Sequence, residues 1–249
     1  RQMRGCRFSR ARHQDSGGRR RWRRLTVAGK GNPQDALTPR MSVIIPAKNE
    51  GAYIGACIES LNAVSAEGLV EIILVDNGSS DDTVSIAEAG GARVHRVLDG
   101  TVAALRNRGA EFSSAPVLAF VDADCTVDPG WVTYALAGLA EEGVCAAGCY
   151  PRLPEGDSTW VQRTWIAIAR PPAGQPRETS WLPSANMVVD GAEFRRVGGF
   201  DAGMETAEDA DLTYRLSTVG KVMYDERISA AHHREPRTLS AFLRKEIWH

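Results

Sequence analysis

Asp122 and Asp124 stand one residue apart at the end of the apolar run Val117-Leu118-Ala119-Phe120-Val121, which follows Pro116. A continuous run of this length reads as a fully buried strand of a parallel sheet, which puts both acids at its carboxyl end. Ligands of open α/β sheets bind at that edge, and two closely spaced carboxylates suit a hard divalent cation, Mn2+ or Mg2+, bridging to a phosphate. A structural reading stands beside it. Asp122 could open a turn, and Asp124 or Asp128 could cap a helix beginning at Pro129.

The flanking chain must supply the rest of such a site. From Met41 strand and helix patterns alternate. Ser42 to Ile45 is a short β-branched run ended by Pro46, and the loop Lys48-Asn49-Glu50-Gly51 leads into a helix marked by Ile54, Ile58 and Leu61. Val70 to Val75 is a second strand, closed by a loop from Asp76 to Thr83 that is dense in turn and capping residues. Ala92 to Val97 makes a third strand and Thr101 to Phe112 a third helix, ahead of the fourth strand at Val117 to Val121. This alternation predicts an α/β fold with a doubly wound, mainly parallel sheet. Right-handed crossovers then gather Pro46 to Glu50, Asp76 to Ser79, Arg106, Asn107 and the Asp122/Asp124 pair at one edge. No G-x-G-x-x-G follows the first strand and no Walker A sequence occurs. Phosphate charge would be met instead by a metal on the Asp pair and by side chains such as Arg106.

Composition bounds the alternatives. The 249 residues are 43% hydrophobic and 24% charged, ordinary for a globular protein. The net charge of −1 averages two unlike segments, since residues 1 to 40 carry twelve Lys/Arg against two acids. That Arg-rich stretch lacks apolar periodicity and is expected to be disordered. A nucleic-acid or membrane tail and a transit-like segment are alternatives; Met41, directly before the first strand, favours sequence outside the functional protein. With aromatics limited to Phe8 and Trp22, no nucleic-acid partner is expected. The five cysteines are odd in number and scattered, which argues against a disulfide framework and for a reducing compartment, hence the cytoplasm. No run approaches a membrane span. Peripheral attachment at the inner face of a membrane stays compatible, and the helical pattern at Trp248-His249 suggests that the domain from 41 to 249 is cut short.

The ordered motifs resemble the family-two inverting glycosyltransferases of the GT-A fold. They are Ser-Val-Ile-Ile-Pro-Ala-Lys-Asn-Glu at 42 to 50, Val-Asp-Asn-Gly-Ser-Ser-Asp-Asp-Thr at 75 to 83, Arg-Asn-Arg-Gly at 106 to 109 and Phe-Val-Asp-Ala-Asp at 120 to 124. Val-Gly-Gly-Phe-Asp at 197 to 201 and Glu-Asp-Ala-Asp-Leu at 208 to 212 follow in the same order. The resemblance covers roughly Met41 to His233 and implies a single-displacement transfer from a UDP- or GDP-type sugar donor to a glycan, lipid or small-molecule hydroxyl. Pro46, Ala47, Asn49, Glu50 and Asp76 would then hold base and ribose, and Asp122, Ala123 and Asp124 metal and donor. Asp209 would be the general base, with Glu208 orienting it or touching the acceptor. His232 or His233 stands where some members place a third metal ligand. Here Glu208 and Asp209 could equally serve the dipole of a helix N-terminus, Asp211 could be a structural acid or cap, and Gly198-Gly199-Phe200 could make a tight turn packing an aromatic.

Two departures matter. Asn77 replaces a frequent second Asp, and the Gln-x-x-Arg-Trp element of processive synthases is absent, so one sugar per encounter is expected. Tyr150 to Pro183 is the least family-like stretch, where Trp160, Trp165 and Ile168 suggest an amphipathic helix and Trp181 with Ser184-Ala185-Asn186 an acceptor-side edge. Asp122-Ala-Asp-Cys-Thr126 also fits the nucleophile motif of haloacid-dehalogenase-like phosphatases, although three βα units precede it here. A nucleotide-sugar-binding module without turnover is the other alternative.

Overall fold

The computed structural model describes residues 39–65, 69–156 and 158–248. The expectations for residues 1 to 38 lie outside the described residues. The first half follows the predicted order: β1 (Met41–Ala47), α1 (Ile54–Val64), β2 (Val70–Asp76), α2 (Thr83–Ala89), β3 (Arg93–Arg96), α3 (Val102–Phe112) and β4 (Val117–Val121). Then come β5 (Cys125–Val127), α4 (Trp131–Leu139), β6 (Val144–Gly148), α5 (Trp160–Ala169), β7 (Arg177–Glu178), β8 (Asn186–Asp190) and α6 (Gly191–Arg196). The described chain closes with α7 (Glu208–Ser217), β9 (Lys221–Tyr224), β10 (Ala230–His232) and α8 (Leu239–Trp248).

Eight strands form one sheet in the order β3-β2-β1-β4-β8-β6-β9-β7. The pairings β3/β2, β2/β1, β1/β4 and β6/β9 are parallel. Only β8 and β7 run against the rest. The sheet is therefore doubly wound and mainly parallel. β1 is buried along its whole length. Its Val43 and Ile45 join a core with Ile54, Ile58 and Leu61 of α1 and Trp131 of α4, whereas Ile44 faces a core with Leu105 of α3, Phe194 of α6, and Leu212 and Leu216 of α7. Alternation along one strand thus serves two helical layers.

Pro46 is tolerated inside this central strand for a local reason. The Ala47 carbonyl accepts from Asn77 on the β2 side, so the N–H that Pro46 lacks would face β4, whose pairing with β1 stops at Ile44.

Away from the main sheet, β5 and β10 pair antiparallel as a two-stranded ribbon, with Cys125 opposite His232. Neither Asp124 nor Asp128 caps α4. That helix starts after Gly130, whose φ of 87° is in the left-handed region, and receives no side-chain cap. Asp128 instead binds Arg152 and Ser229, tying the start of α4 to the chain after β6 and to the approach to β10.

Candidate functional site

The loops after β1 and β2 are stitched together by their own polar residues. Asn49, at φ 57°, donates its N–H to Ser79 Oγ (2.9 Å) and accepts from the Ser80 N–H (2.8 Å). Glu50 N–H donates to Thr83 Oγ1 (2.7 Å) and Gly51 N–H to Asp81 Oδ2 (2.9 Å). Asp76 is fully buried and accepts from the Ser79 and Gly78 N–H groups and from Arg96 Nε. Burial alone would raise its pKa, but the Ser79 hydrogen bonds and Arg96 hold it below the ordinary carboxylate value. Pro46 and Ala47 are buried and form the floor under these loops.

At the end of β4, Asp122 and Asp124 have unlike surroundings. Asp122 remains 31% exposed and accepts from Arg106 Nη2 at 2.8 Å. Ala123 between them is buried. Asp124 lies deeper, with Oδ1 3.4 Å from His232 Nε2. Its pKa is raised, first by burial, with His232 pulling the other way and the neighbouring Asp122 adding to the rise. Asp124, Cys125 and His232 bring one ligand atom each within 4.8 Å of one another, the one such group among the described residues. The Cys125 thiol is fully buried and pushed well above its ordinary value by burial and the two aspartates, which disfavours the thiolate form that binds metals.

The carboxylate and imidazole that remain fit a divalent cation. His232 Nδ1 is buried without a hydrogen-bond partner and lies 3.7 Å from Glu235 Oε1. A carboxylate behind the second ring nitrogen is the usual way a metal-binding histidine is oriented. Asp122 is not part of this group as it stands, because its carboxylate is turned to Arg106. His233 points elsewhere, to Thr126 Oγ1 at 2.9 Å.

Arg106 is the hinge-pin of the site. Its side chain is 3% exposed, Nη2 is on Asp122, Nη1 is 2.8 Å from Glu208 Oε1, and the guanidinium lies over the Phe200 ring at 5.6 Å. Both terminal nitrogens are engaged by carboxylates rather than left open toward a phosphate. Asn107 likewise faces inward, holding both backbone groups of Phe200 through its amide at 2.8 and 2.9 Å. Gly198 and Gly199, at φ 88° and 71°, make the tight turn that delivers Phe200 into the core against Phe120 and Phe194.

α7 starts at the acid pair. Its N-cap is Ala207 at φ 60°, a conformation a Cβ disfavours, and no side chain caps the helix. Glu208 is buried on Arg106 and the Ser184 hydroxyl (3.4 Å). Asp209 is half-buried, with Oδ1 accepting from the Ala210 N–H (2.7 Å) and Oδ2 from the Ser184 N–H (3.4 Å). Asp211 is a structural acid, paired with Arg215 one turn on.

On the acceptor-side edge, Trp181 is partly exposed against Tyr150. Asn186 departs from expectation: it is fully buried, accepting from Trp131 Nε1 and donating to the Cys149 and Ile228 carbonyls.

Sequence reasoning did not single out Arg234. Its Nη1 donates to both Glu50 oxygens (2.6 and 2.7 Å), its Nε lies 3.9 Å from Asp124 Oδ2, and its guanidinium sits over Tyr53. It therefore closes the gap between the β1 loop and the aspartates. Its position two residues after His232 was the available signal.

A family model described as glycosyl transferase family 2 matches residues 42–200. The chain belongs to that family. Validoxylamine A glucosyltransferase of Streptomyces hygroscopicus subsp. limoneus is 29% identical over 238 residues, 79% of this chain and 52% of its own length. Pre-mycofactocin glycosyltransferase of Mycobacterium tuberculosis (strain CDC 1551 / Oshkosh) is 30% identical over 223 residues, 84% of this chain and 45% of its own length. The chain thus spans about half the length of these relatives.

Among solved structures, S. aureus TarS 1-349 in complex with UDP-GlcNAc superposes with a TM-score of 0.66 at 18% identity, covering 79% of this chain and 59% of that one. The mannosyltransferase PcManGT from Pyrobaculum calidifontis, in complex with GDP-Man and Mn2+, gives 0.65 at 17% identity, covering 82% and 60%. The fold is thereby that of the GT-A glycosyltransferases. Family 2 membership speaks against the phosphatase alternative.

Proposed function

We propose that this family 2 glycosyltransferase moves a sugar from a UDP- or GDP-type donor to an acceptor hydroxyl, with inversion, in the presence of Mn2+ or Mg2+, one sugar per encounter. The observation that carries this reading is the Arg106 bridge. One guanidinium holds Asp122 at the end of β4 and Glu208 at the start of α7, 102 residues apart between Arg106 and Glu208, so donor element and acid pair share one edge.

Asp209 is the general base of this reading. Glu208 is locked by Arg106 and Ser184, whereas Asp209 is only half-buried beside the acceptor-side edge. As the acceptor oxygen bonds to the anomeric carbon, its proton passes to Asp209 and the bond to the diphosphate breaks. Arg106 keeps Glu208 in place, which fixes the first turn of α7. The loop residues Pro46, Ala47, Asn49, Glu50 and Asp76 frame the nucleoside. Asp124 and His232 would hold the divalent cation, joined by Asp122, and when bound it neutralises charge on the departing diphosphate. The acceptor is a glycan, lipid or small molecule, and peripheral membrane association belongs to the same reading.

The test is an Asp209→Asn variant. Turnover is expected to fall about 10²- to 10⁴-fold while donor affinity is kept. Donor-binding wild-type protein that shows no transfer to any acceptor would instead support a binding module.

A further inference from the structure

Both terminal nitrogens of Arg106 are taken by Asp122 and Glu208, so the phosphates of a donor must find their hydrogen-bond donors elsewhere. The other guanidinium at the aspartates belongs to Arg234. Three contacts fix where it stands. Nη1 donates to both Glu50 oxygens (2.6 and 2.7 Å), the Tyr53 ring lies 5.7 Å from the guanidinium carbon, and the His233 N–H, on the Asp124 carbonyl at 2.9 Å, pins the chain just ahead of it. Glu50 and Tyr53 form a single turn, closed by the Tyr53 N–H on the Glu50 carbonyl (2.9 Å).

These contacts use one edge of the group. A guanidinium carries five N–H donors, and both bonds to Glu50 come from Nη1. Nε lies 3.9 Å from Asp124 Oδ2, beyond a hydrogen bond, and Nη2 has no hydrogen-bond partner among the described residues. Nε and Nη2 form the side of the fork that matches two oxygens of a phosphate, and it is left at Asp124. Glu50 cancels most of the long-range charge, so what remains is a short-range, directional pair of donors rather than an attractive field. An ion pair whose arginine is 48% exposed adds little to stability; its effect is to aim the fork. A phosphate on a cation held by Asp124 and His232 and the open edge of Arg234 thus have Asp124 as their common neighbour.

We infer that Arg234 is a donor-binding residue that contacts the metal-bound diphosphate through Nε and Nη2, with Glu50 and Tyr53 positioning it. The inference rests on the donor reading above. The test is calorimetric titration of the full chain with Mn2+ alone, then with UDP, GDP, uridine and guanosine in the presence of Mn2+. Arg234→Gln is expected to weaken whichever nucleoside diphosphate the wild type binds, on the order of tenfold or more, and to leave the matching nucleoside unchanged. Mn2+ alone should bind as before or tighter, because a cation 3.9 Å from Asp124 is gone. Arg234→Lys, which keeps the charge and loses the fork, should restore only part of the affinity. Glu50→Gln should cost less than Arg234→Gln, and Arg234→Gln should cost less in that background than in the wild type. Unchanged diphosphate affinity in Arg234→Gln overturns the inference. So does an equal loss for the nucleoside, which would make Arg234 a brace for the β1 loop, or a loss of affinity for Mn2+ alone, which would make it a support for Asp124. Wild-type protein that binds neither UDP nor GDP fails the donor reading itself, before any variant is compared.

Discussion

Arg106 is where residue type and residue role part company. An arginine near an acidic pair in a nucleotide-binding edge reads as a phosphate ligand, whereas its burial and its two carboxylate partners give it, in the function proposed above, the part of a positioning residue. Removing it leaves Asp122 and Glu208 facing each other without a cation. An Arg106→Gln variant is expected to lose about 3 kcal/mol of stability, because one partner of a buried ion pair is stranded. It should also lose turnover and donor affinity together, as Asp122 and the first turn of α7 are both released. Denaturant midpoints and steady-state kinetics check the two effects; a variant with normal donor affinity would show that Asp122 is aligned without it. The types and order of Asp122, Asp124, Glu208 and Asp209 were legible in the sequence. Their partners were not, since which oxygen meets Arg106, Ser184 or His232 is set across separations of up to 108 residues between Asp124 and His232.

The regular βα units were readable because β1, β2 and β4 are buried on both faces and their apolar runs are continuous. The ribbon of β5 and β10 was not, because strands of three residues carry no usable period; yet it is this pairing that places His232 beside Asp124. Glycine in the Arg-Asn-Arg-Gly motif also acquires its reason only from packing. A Cβ on Gly109 would stand 2.3 Å from Ile44 Cγ2 and 3.1 Å from Val75 Cγ2, so α3 rides directly on β1 and β2. Gly109→Ala is expected to cost about 2 kcal/mol through overpacking and to lower turnover by lifting Arg106. In an Ile44→Ala background, which lacks the opposing Cγ2, Gly109→Ala should cost less than it does in the wild type; purely additive effects in the double-mutant cycle would refute this account. Asp128 gives an element-scale pH dependence. Burial raises its carboxyl, but the Arg152 and Ser229 hydrogen bonds outweigh it and hold the pKa below the ordinary 3.8. A carboxylate depressed in the folded state contributes stability above its unfolded value and loses it as pH falls through the folded one. Asp128→Asn should therefore lower the Tm at neutral pH, and the gap to wild type should close below pH 3.8; an equal gap at both ends would mean that packing, not charge, is lost.

At the scale of the molecule, no described helix is long and apolar enough to cross a membrane. The candidate metal pair sits where the chain passes from the central sheet into the ribbon: Asp124 lies between β4 and β5, and His232 is on β10. A cation shared by the two ties the ribbon to the sheet, and a nucleoside diphosphate on that cation ties in the loops after β1 and β2 as well. Binding that favours the folded state by one hundred times Kd adds about 2.7 kcal/mol, which for a domain of this size is about 5–10 °C in Tm. UDP or GDP with Mn2+ is expected to produce a shift of that order, with a chelator removing most of it. His232→Ala should abolish the metal-dependent part in thermal melts and leave the weaker response to nucleotide alone. If His232→Ala kept the full metal-dependent shift, the cation would be held by Asp122 and Asp124 without the ribbon, and the coupling between β10 and the donor site would be lost from the mechanism.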